Sequence, residues 1–247
     1  MALLAFDLET VPDVQAGRRI SALSGTDVEV AAAMVQRREE ETKGRTAFLK
    51  PALHRVVGLG LVRVDVTGGQ LRECSVRGWA GEGEPDLLRR FFAALHEYPQ
   101  LVSWNGNGFD LPALRARALL YQLDTRHLDG PIAQKPWESY LNRYSERHVD
   151  LMDVLAGYGA SPPLSLHEAA RLCGLPGKGA VDGSQVADLA QAMDWPAIQD
   201  YVQSDALQTM WLFLRWQVGR GQFPAALYHQ MEPGFESQLA ALQRVAA

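Results

Sequence analysis

Residues 3–10 read LLAFDLET, a short apolar strand that ends in two carboxylates. Side chains alternate along a strand, so Asp7 and Glu9 project from one face at the end of a buried run. Two acids held that close repel one another, and burial raises the cost. The usual escapes are a shared proton or a bound divalent cation with oxygen ligands. The pair reads as a metal site.

Working outward, residues 101–112 read LVSWNGNGFDLP. This is an apolar strand over Leu101 to Trp104, a glycine-broken turn, and then Asp110 at a helix start with Pro112 in its first turn. A third acid therefore sits at a second strand exit. Residues 195–216, WPAIQDYVQSDALQTMWLFLRW, carry helical periodicity, with Ile198, Tyr201, Val202, Leu207, Met210, Trp211 and Leu214 on an apolar face. On that helix Tyr201 and Asp205 stand four apart, one above the other.

DLE at 7–9, N-x-x-x-F-D at 105–110 and Y-x-x-x-D at 201–205 resemble, in order and spacing, the three motifs of the DEDD superfamily of 3'-5' exonucleases. The likeness is nearest to the stand-alone exonucleases related to the proofreading domain of family B DNA polymerases. It runs over nearly the whole chain, and HVDLMDVL, SLHEAARLCGL and GKGAVDGSQV lie between the second and third motifs as in that family. Each motif alone is a weak signal, because DxE and YxxxD arise by chance. The ordered set in strand, strand and helix contexts is a strong one. One DEDD subclass places a His five residues before the last Asp, where this chain has Asp200. The other places a Tyr four before it, and Tyr201 fits that subclass.

The resemblance implies an α/β, RNase H-like mixed five-stranded sheet flanked by helices; the length suits a single domain spanning 1–247, and along the chain residues 13–53 read as a helical insertion. It also implies two divalent metal ions, Mg²⁺ or Mn²⁺. Asp7 would bridge both, Glu9 and Asp205 would complete the site nearer the attacking water, and Asp110 would serve the second cation directly or through water. Tyr201 would orient the water through its hydroxyl, and Asn105 and Phe109 would contact the terminal nucleotides. A Phe can stack on any base and an Asn can bond sugar or phosphate, which permits sequence-independent reading of a single strand. A core role competes for Phe109 and for Tyr201. Taken singly, the four acids could be a strand end, a helix cap or solvated charges; together, in this order, they favour metal. Lys178 either touches substrate phosphate, as the family's GK implies, or is a solvated loop lysine.

The rest of the chain gives an element order that suits this fold. The first strand is expected to end at Asp7. A helix is expected over VEVAAAMVQRREEETK, a hairpin from RVVGLGLVRVDV and LRECSVRGW across Thr67 to Gln70, and a helix over PDLLRRFFAALHEY. The Asp110 helix should reach Tyr121, followed by a loop-rich polar stretch, a last strand at HVDLMDV and a terminal amphipathic helix over ESQLAALQRVA. Alternating helices and strands after a hairpin point to a mixed sheet with helices on its faces.

Composition bounds the function classes. At 247 residues and 47% hydrophobic content the chain is long enough to bury a full α/β core. No apolar run reaches the ~18 residues of a bilayer span, and LLAF is too short for a signal peptide, so no membrane and a cytoplasmic location are expected. Cys74 and Cys173 lack CxxC or CxxH spacing and read as reduced thiols, without zinc. A net charge of −5 argues against coating nucleic acid by counterion release. It still suits an enzyme that holds a strand end through metals. Arg115, Arg117, Arg126, Lys135, Arg143 and Arg147 read as solvated charges in a mildly basic middle region. Asp150 and Asp153 read as structural or supporting acids, and His54, His148 and His167 have no ligand spacing. GLPGKG at 174–179 fails as a phosphate loop, since Leu172 stands where the first Gly belongs and no Ser or Thr follows Lys178.

The sequence thus reads as a metal-dependent 3'-5' exonuclease releasing mononucleotides from single-stranded DNA 3' ends, with RNA left open. Its rivals are an RNA 3'-end trimming exoribonuclease and a non-catalytic module that holds nucleic-acid ends. The intact acid quartet argues against the last.

Overall fold

The computed structural model describes residues 1–98, 100–129, 139–177, 179 and 183–244. In chain order it shows β1 (Ala2–Pro12), α1 (Val14–Ser21), α2 (Asp27–Glu41), a 3-10 turn (Pro51–Leu53), β2 (His54–Thr67), β3 (Gln70–Ala80), α3 (Glu84–Glu97), β4 (Gln100–Ser103), α4 (Asp110–Tyr121) and α5 (Arg126–Asp129). Then follow β5 (His148–Asp150), α6 (Leu151–Leu155), α7 (Leu166–Leu172), a second 3-10 turn (Gly183–Gln185), α8 (Val186–Gln191), α9 (Trp195–Gly219) and α10 (Ala225–Arg244). The strands form one mixed sheet in the order β3-β2-β1-β4-β5. The expected five-stranded α/β architecture is present, with β1 central, β2 antiparallel to it and β4 parallel on its other side.

Alternation on β1 divides the core. Leu3 and Ala5 pack toward Leu207, Met210 and Phe235 on α9 and α10. Leu4, Phe6 and Leu8 pack toward Phe91 and Leu95 on α3 and Leu114 on α4. Burying apolar side chains on both faces is what makes the sheet the middle layer of the molecule.

Two boundaries differ from the sequence expectation for local reasons. β1 does not end at Asp7 but runs to Pro12, because β2 supplies an antiparallel partner all the way to the Pro12–His54 pair. On its other side β1 pairs with β4 only over Leu3–Ala5, so Asp7 and Glu9 stand just beyond the parallel ladder. Likewise, HVDLMDV is a strand only to Asp150. The Asp150 carboxylate accepts the Asp153 N–H at 3.4 Å and caps α6, which turns the chain out of the sheet.

α9 lies directly on the backbone of β2 and β3. A Cβ built on Gly60 would stand 2.3 Å from the Val202 carbonyl oxygen, and one on Gly78 would stand 2.5 Å from Gln203 Cγ. Glycine is required at such an approach because any side chain would push the helix away.

Residues 13–53, the stretch expected as a helical insertion, contain two α-helices. α2 opens with a capping box of Thr26 and Glu29, and α1, which the sequence did not announce, is capped by Asp13. Arg117 corrects another expectation: it is not a solvated charge but is 3% exposed. Its guanidinium donates to Asp13 and to both oxygens of Glu84. Glu84 also accepts the Val56 N–H and the Tyr121 hydroxyl, both at 2.7 Å. This network ties the start of α1 to α3, α4 and β2. Among the described residues no helix is long and apolar enough to cross a membrane.

Candidate active site

Three of the expected acids come together. Asp7, Glu9 and Asp205 each offer a carboxylate oxygen, and the three oxygens lie within 4.8 Å of one another. Asp7 and Glu9 are carried on the α9 side of β1, opposite Gly60 and Gly58 in the antiparallel register. The bare backbone of these glycines leaves room for the helix. A Cβ on Gly58 would stand 3.0 Å from Ile198 Cγ2 and 3.1 Å from Glu9 Cβ. Asp205 thus reaches the strand acids only because β2 is stripped of side chains where α9 crosses it.

Tyr201 lies one turn before Asp205, buried beside Val11, Val57, Val186 and Ile198. Its ring is core while its hydroxyl is not: the phenol donates a hydrogen bond to the Asp205 carboxylate. Burial, then the charges of Asp205, Glu9 and Asp7, hold its pKa above the ordinary phenol range. The hydroxyl therefore keeps its proton at neutral pH and faces all three acids.

Asp110 is close by but outside this mutually close trio. It opens α4, is buried, and accepts the backbone N–H of Leu8, between the two strand acids. That N–H is open because β4 has already ended. Burial pushes the Asp110 carboxyl up to about 7; the Asp150 charge adds to the rise, and the two backbone N–H groups oppose it.

The loop before α4 is shaped by Asp150. Its oxygens accept the N–H groups of Asn105 and Asn107, both at 2.9 Å. Asn105 itself takes a left-handed backbone, φ 65°, and its carbonyl accepts from Gly108 and Phe109. Asn105 is exposed at the loop's tip and Phe109 is half-buried at its end. Phe109 is not a ring of the main core. It packs 5.0 Å edge-on to His54 and 5.3 Å from Phe48, and Phe48 is 59% exposed. His54 Nδ1 meets Thr10 Oγ1 at 3.0 Å, which places this aromatic group beside the residue that follows Glu9. His148 is buried, with Nε2 2.8 Å from Ser103 Oγ. Lys178, the expected phosphate contact, lies outside the described residues, as does Lys135.

Sequence reasoning missed Phe48, Gly58 and Gly60. The glycine pair carried a readable signal, since two glycines in an apolar strand mark a close backbone approach. For Phe48, a lone aromatic in a charged insertion, no sequence signal separates display from packing.

Residues 46–245 match the family described as "Predicted 3'-5' exonuclease related to the exonuclease domain of PolB". The chain belongs to this family. DNA polymerase 1 of Saccharolobus solfataricus is 31% identical over 129 residues, which is 51% of this chain and 14% of that protein. DNA polymerase 1 of Sulfolobus acidocaldarius is 38% identical over 61 residues, 25% of this chain and 7% of that one. The chain thus spans a small part of the length of these curated relatives. Among solved structures, the family B DNA polymerase from the hyperthermophilic archaeon Pyrobaculum calidifontis matches with a TM-score of 0.54 at 19% identity, covering 88% of this chain and 24% of that one. That likeness is one of fold, and the five-stranded sheet with flanking helices is consistent with the RNase H-like exonuclease fold.

Proposed function

We propose that this family member is an active, metal-dependent 3'-5' exonuclease of the tyrosine DEDD subclass, releasing mononucleotides from the 3' ends of single-stranded DNA. The observation that carries this reading is the meeting of Asp7, Glu9 and Asp205 with the Tyr201 hydroxyl on Asp205. The donor set suits a hard divalent cation. Ligands at 2.0 to 2.6 Å from one ion are at most about 4 to 5 Å apart, and the three oxygens meet that spacing. Asp7, Glu9 and Asp205 would hold Mg²⁺ or Mn²⁺, and Asp110, beside them on the Leu8 N–H, would serve a second ion. Bound there, such ions supply charge neutralisation at phosphate and lower the pKa of water.

The chain's own groups set the geometry. The Tyr201 hydroxyl, protonated and fixed by Asp205, orients an attacking water rather than removing its proton. The exposed Phe48 ring and the half-buried Phe109 ring, backed by the buried His54, offer faces for the terminal bases, and Asn105 offers an amide to sugar or phosphate. In the reaction a water oxygen bonds to phosphorus as the bond to the preceding nucleotide's 3' oxygen breaks. That oxygen takes a proton and a nucleoside monophosphate leaves.

The test is a 5'-labelled single strand incubated with the protein in Mn²⁺. A descending ladder that stops in EDTA is expected. Release of a labelled 5' mononucleotide as the first product, or full activity in chelator, overturns the reading. Matched DNA and RNA strands in the same assay decide the sugar.

A further inference from the structure

Beyond the carboxylate cluster, the loop before α4 borders an open cleft of about 400 Å³. Asn105, Asn107 and Gly108 line it together with Asp150, Arg143 and Asp153. Arg143 is fixed there by a bidentate pair with Asp153, at 3.0 and 2.5 Å. Its guanidinium lies 5.9 Å from the Tyr144 ring centroid and 5.7 Å from that of Tyr158. The two rings meet edge to face at 4.8 Å. Neither belongs to a core cluster, and they are 66% and 38% exposed. A fixed arginine beside two touching, outward rings is more order than a solvated charge needs.

Tyr158 adds an independent observation. It sits at φ 58°, flanked by Gly157 and Gly159, which also have positive φ. A bulky side chain in the left-handed region is disfavoured and is kept where surrounding structure imposes it, often at functional sites. Here the strained residue is not filling the core. It presents a ring beside Arg143.

We propose that Tyr144, Arg143 and Tyr158 form a second base-stacking platform, which binds the nucleotides on the 5' side of the terminal one. The inference rests on the exonuclease reading and extends it. If the 3'-terminal nucleotide occupies the carboxylate site, the strand has only its 5' direction in which to continue. Two aromatic groups flank this region: Phe109 and Phe48 at the end of the Asn105–Gly108 loop, and the tyrosine pair beside Arg143, which lines the cleft together with that loop. Unpaired bases stack on exposed rings and on arginine planes without regard to sequence. A duplex buries those base faces, so the platform selects a single strand. Asp150 connects the parts, since it holds the loop on one side and caps the helix that carries Asp153 on the other.

The test uses the full chain and a Tyr144→Ala/Tyr158→Ala double variant. Binding of a 5'-fluorescent single strand of about a dozen nucleotides is read by anisotropy without divalent metal. Hydrolysis of that strand and of a dinucleotide is read in Mn²⁺. The double variant should bind the long strand about tenfold or more weakly. Its kcat/KM ratio of long strand to dinucleotide should fall by a similar factor. Tyr144→Phe/Tyr158→Phe should restore both, because stacking needs the ring and not the hydroxyl. Wild-type affinity in the alanine variant overturns the proposal, and so does an equal loss on both lengths, which would put the rings in the terminal pocket. If the wild-type protein neither binds nor shortens a single strand, the exonuclease reading itself has failed, and the platform falls with it.

Discussion

Gly60 lies under Val202 so closely that a Cβ on the glycine would stand 2.3 Å from the Val202 carbonyl oxygen. Gly60 is also the cross-strand partner of Asp7. The contact that seats α9 is therefore made at the level of the first catalytic candidate, and Asp205 hangs from the same stretch of helix. Gly60→Ala should lift α9, costing about 2 to 3 kcal/mol of stability and weakening Mn²⁺ binding. Gly219→Ala, on the same helix with no atom within 4 Å of the new Cβ, should be neutral or slightly stabilising. Urea unfolding of both variants checks this; equal midpoints would mean that α9 accommodates the methyl group.

Tyr201→Phe removes only the hydroxyl. The ring stays packed with Val11, Val57 and Ile198, so the melting temperature should change little while the single-turnover rate falls about 10²- to 10⁴-fold. An unchanged rate would return this residue to a purely packing role.

Metal should stabilise the fold through the carboxylates it relieves. At a Mn²⁺ concentration about 100 times Kd the gain is about 2.7 kcal/mol for one site. Asp7→Ala reduces the repulsion and removes a ligand. Thermal melts in EDTA should place it at or above wild type, with little response to Mn²⁺. A strongly destabilised variant, or a full metal response, would make Asp7 structural.

Arg117 is the centre of a buried charge network. Arg117→Met leaves Asp13 and Glu84 buried without their cation, and the expected loss is about 3 to 5 kcal/mol. Guanidinium unfolding reads it directly. A loss below about 1 kcal/mol would mean that water reaches these carboxylates.

His148 gives the protein an acid-sensitive element. Burial lowers its pKa to about 4 from the ordinary 6.5, against a raising bond to the Tyr140 backbone. Below pH 6.5 the unfolded chain takes up a proton that the folded chain refuses until about pH 4. Stability from this group is thus present above 6.5 and lost as pH falls toward 4. Between pH 7 and pH 5 the loss is about 2 kcal/mol. Comparing urea midpoints of wild type and His148→Gln at the two pH values isolates it, since the variant should lose that much less.

Much of the fold was legible because its signals are local. The apolar run before Asp7, the Thr67–Gln70 turn and the Asp110 helix start each depend on a few adjacent residues, and each lies where expected. The grouping of Asp7, Glu9 and Asp205 was legible through motif order. What stayed hidden was long-range. Nothing near Arg117 in sequence announces Asp13 or Glu84, so it read as a surface charge. Phe48 read as part of an uninterpreted insertion because its partners, His54 and Phe109, are supplied by β2 and by the loop before α4. The end of β1 was misplaced because its length is set by β2, not by its own residues.

Asp7 on β1 and Asp205 on α9 are far apart in sequence, and α9 joins them by docking on Gly58 and Gly60. A ribosome-bound chain that has emitted β1 through β5 has every strand of the sheet but lacks α9, which covers one face of it and carries the third carboxylate. The carboxylate trio therefore comes together only after every strand of the sheet has been made. Any cation shared by the three carboxylates would require α9 to be seated, so loss of Mn²⁺ binding during denaturation would report the departure of that helix from the sheet.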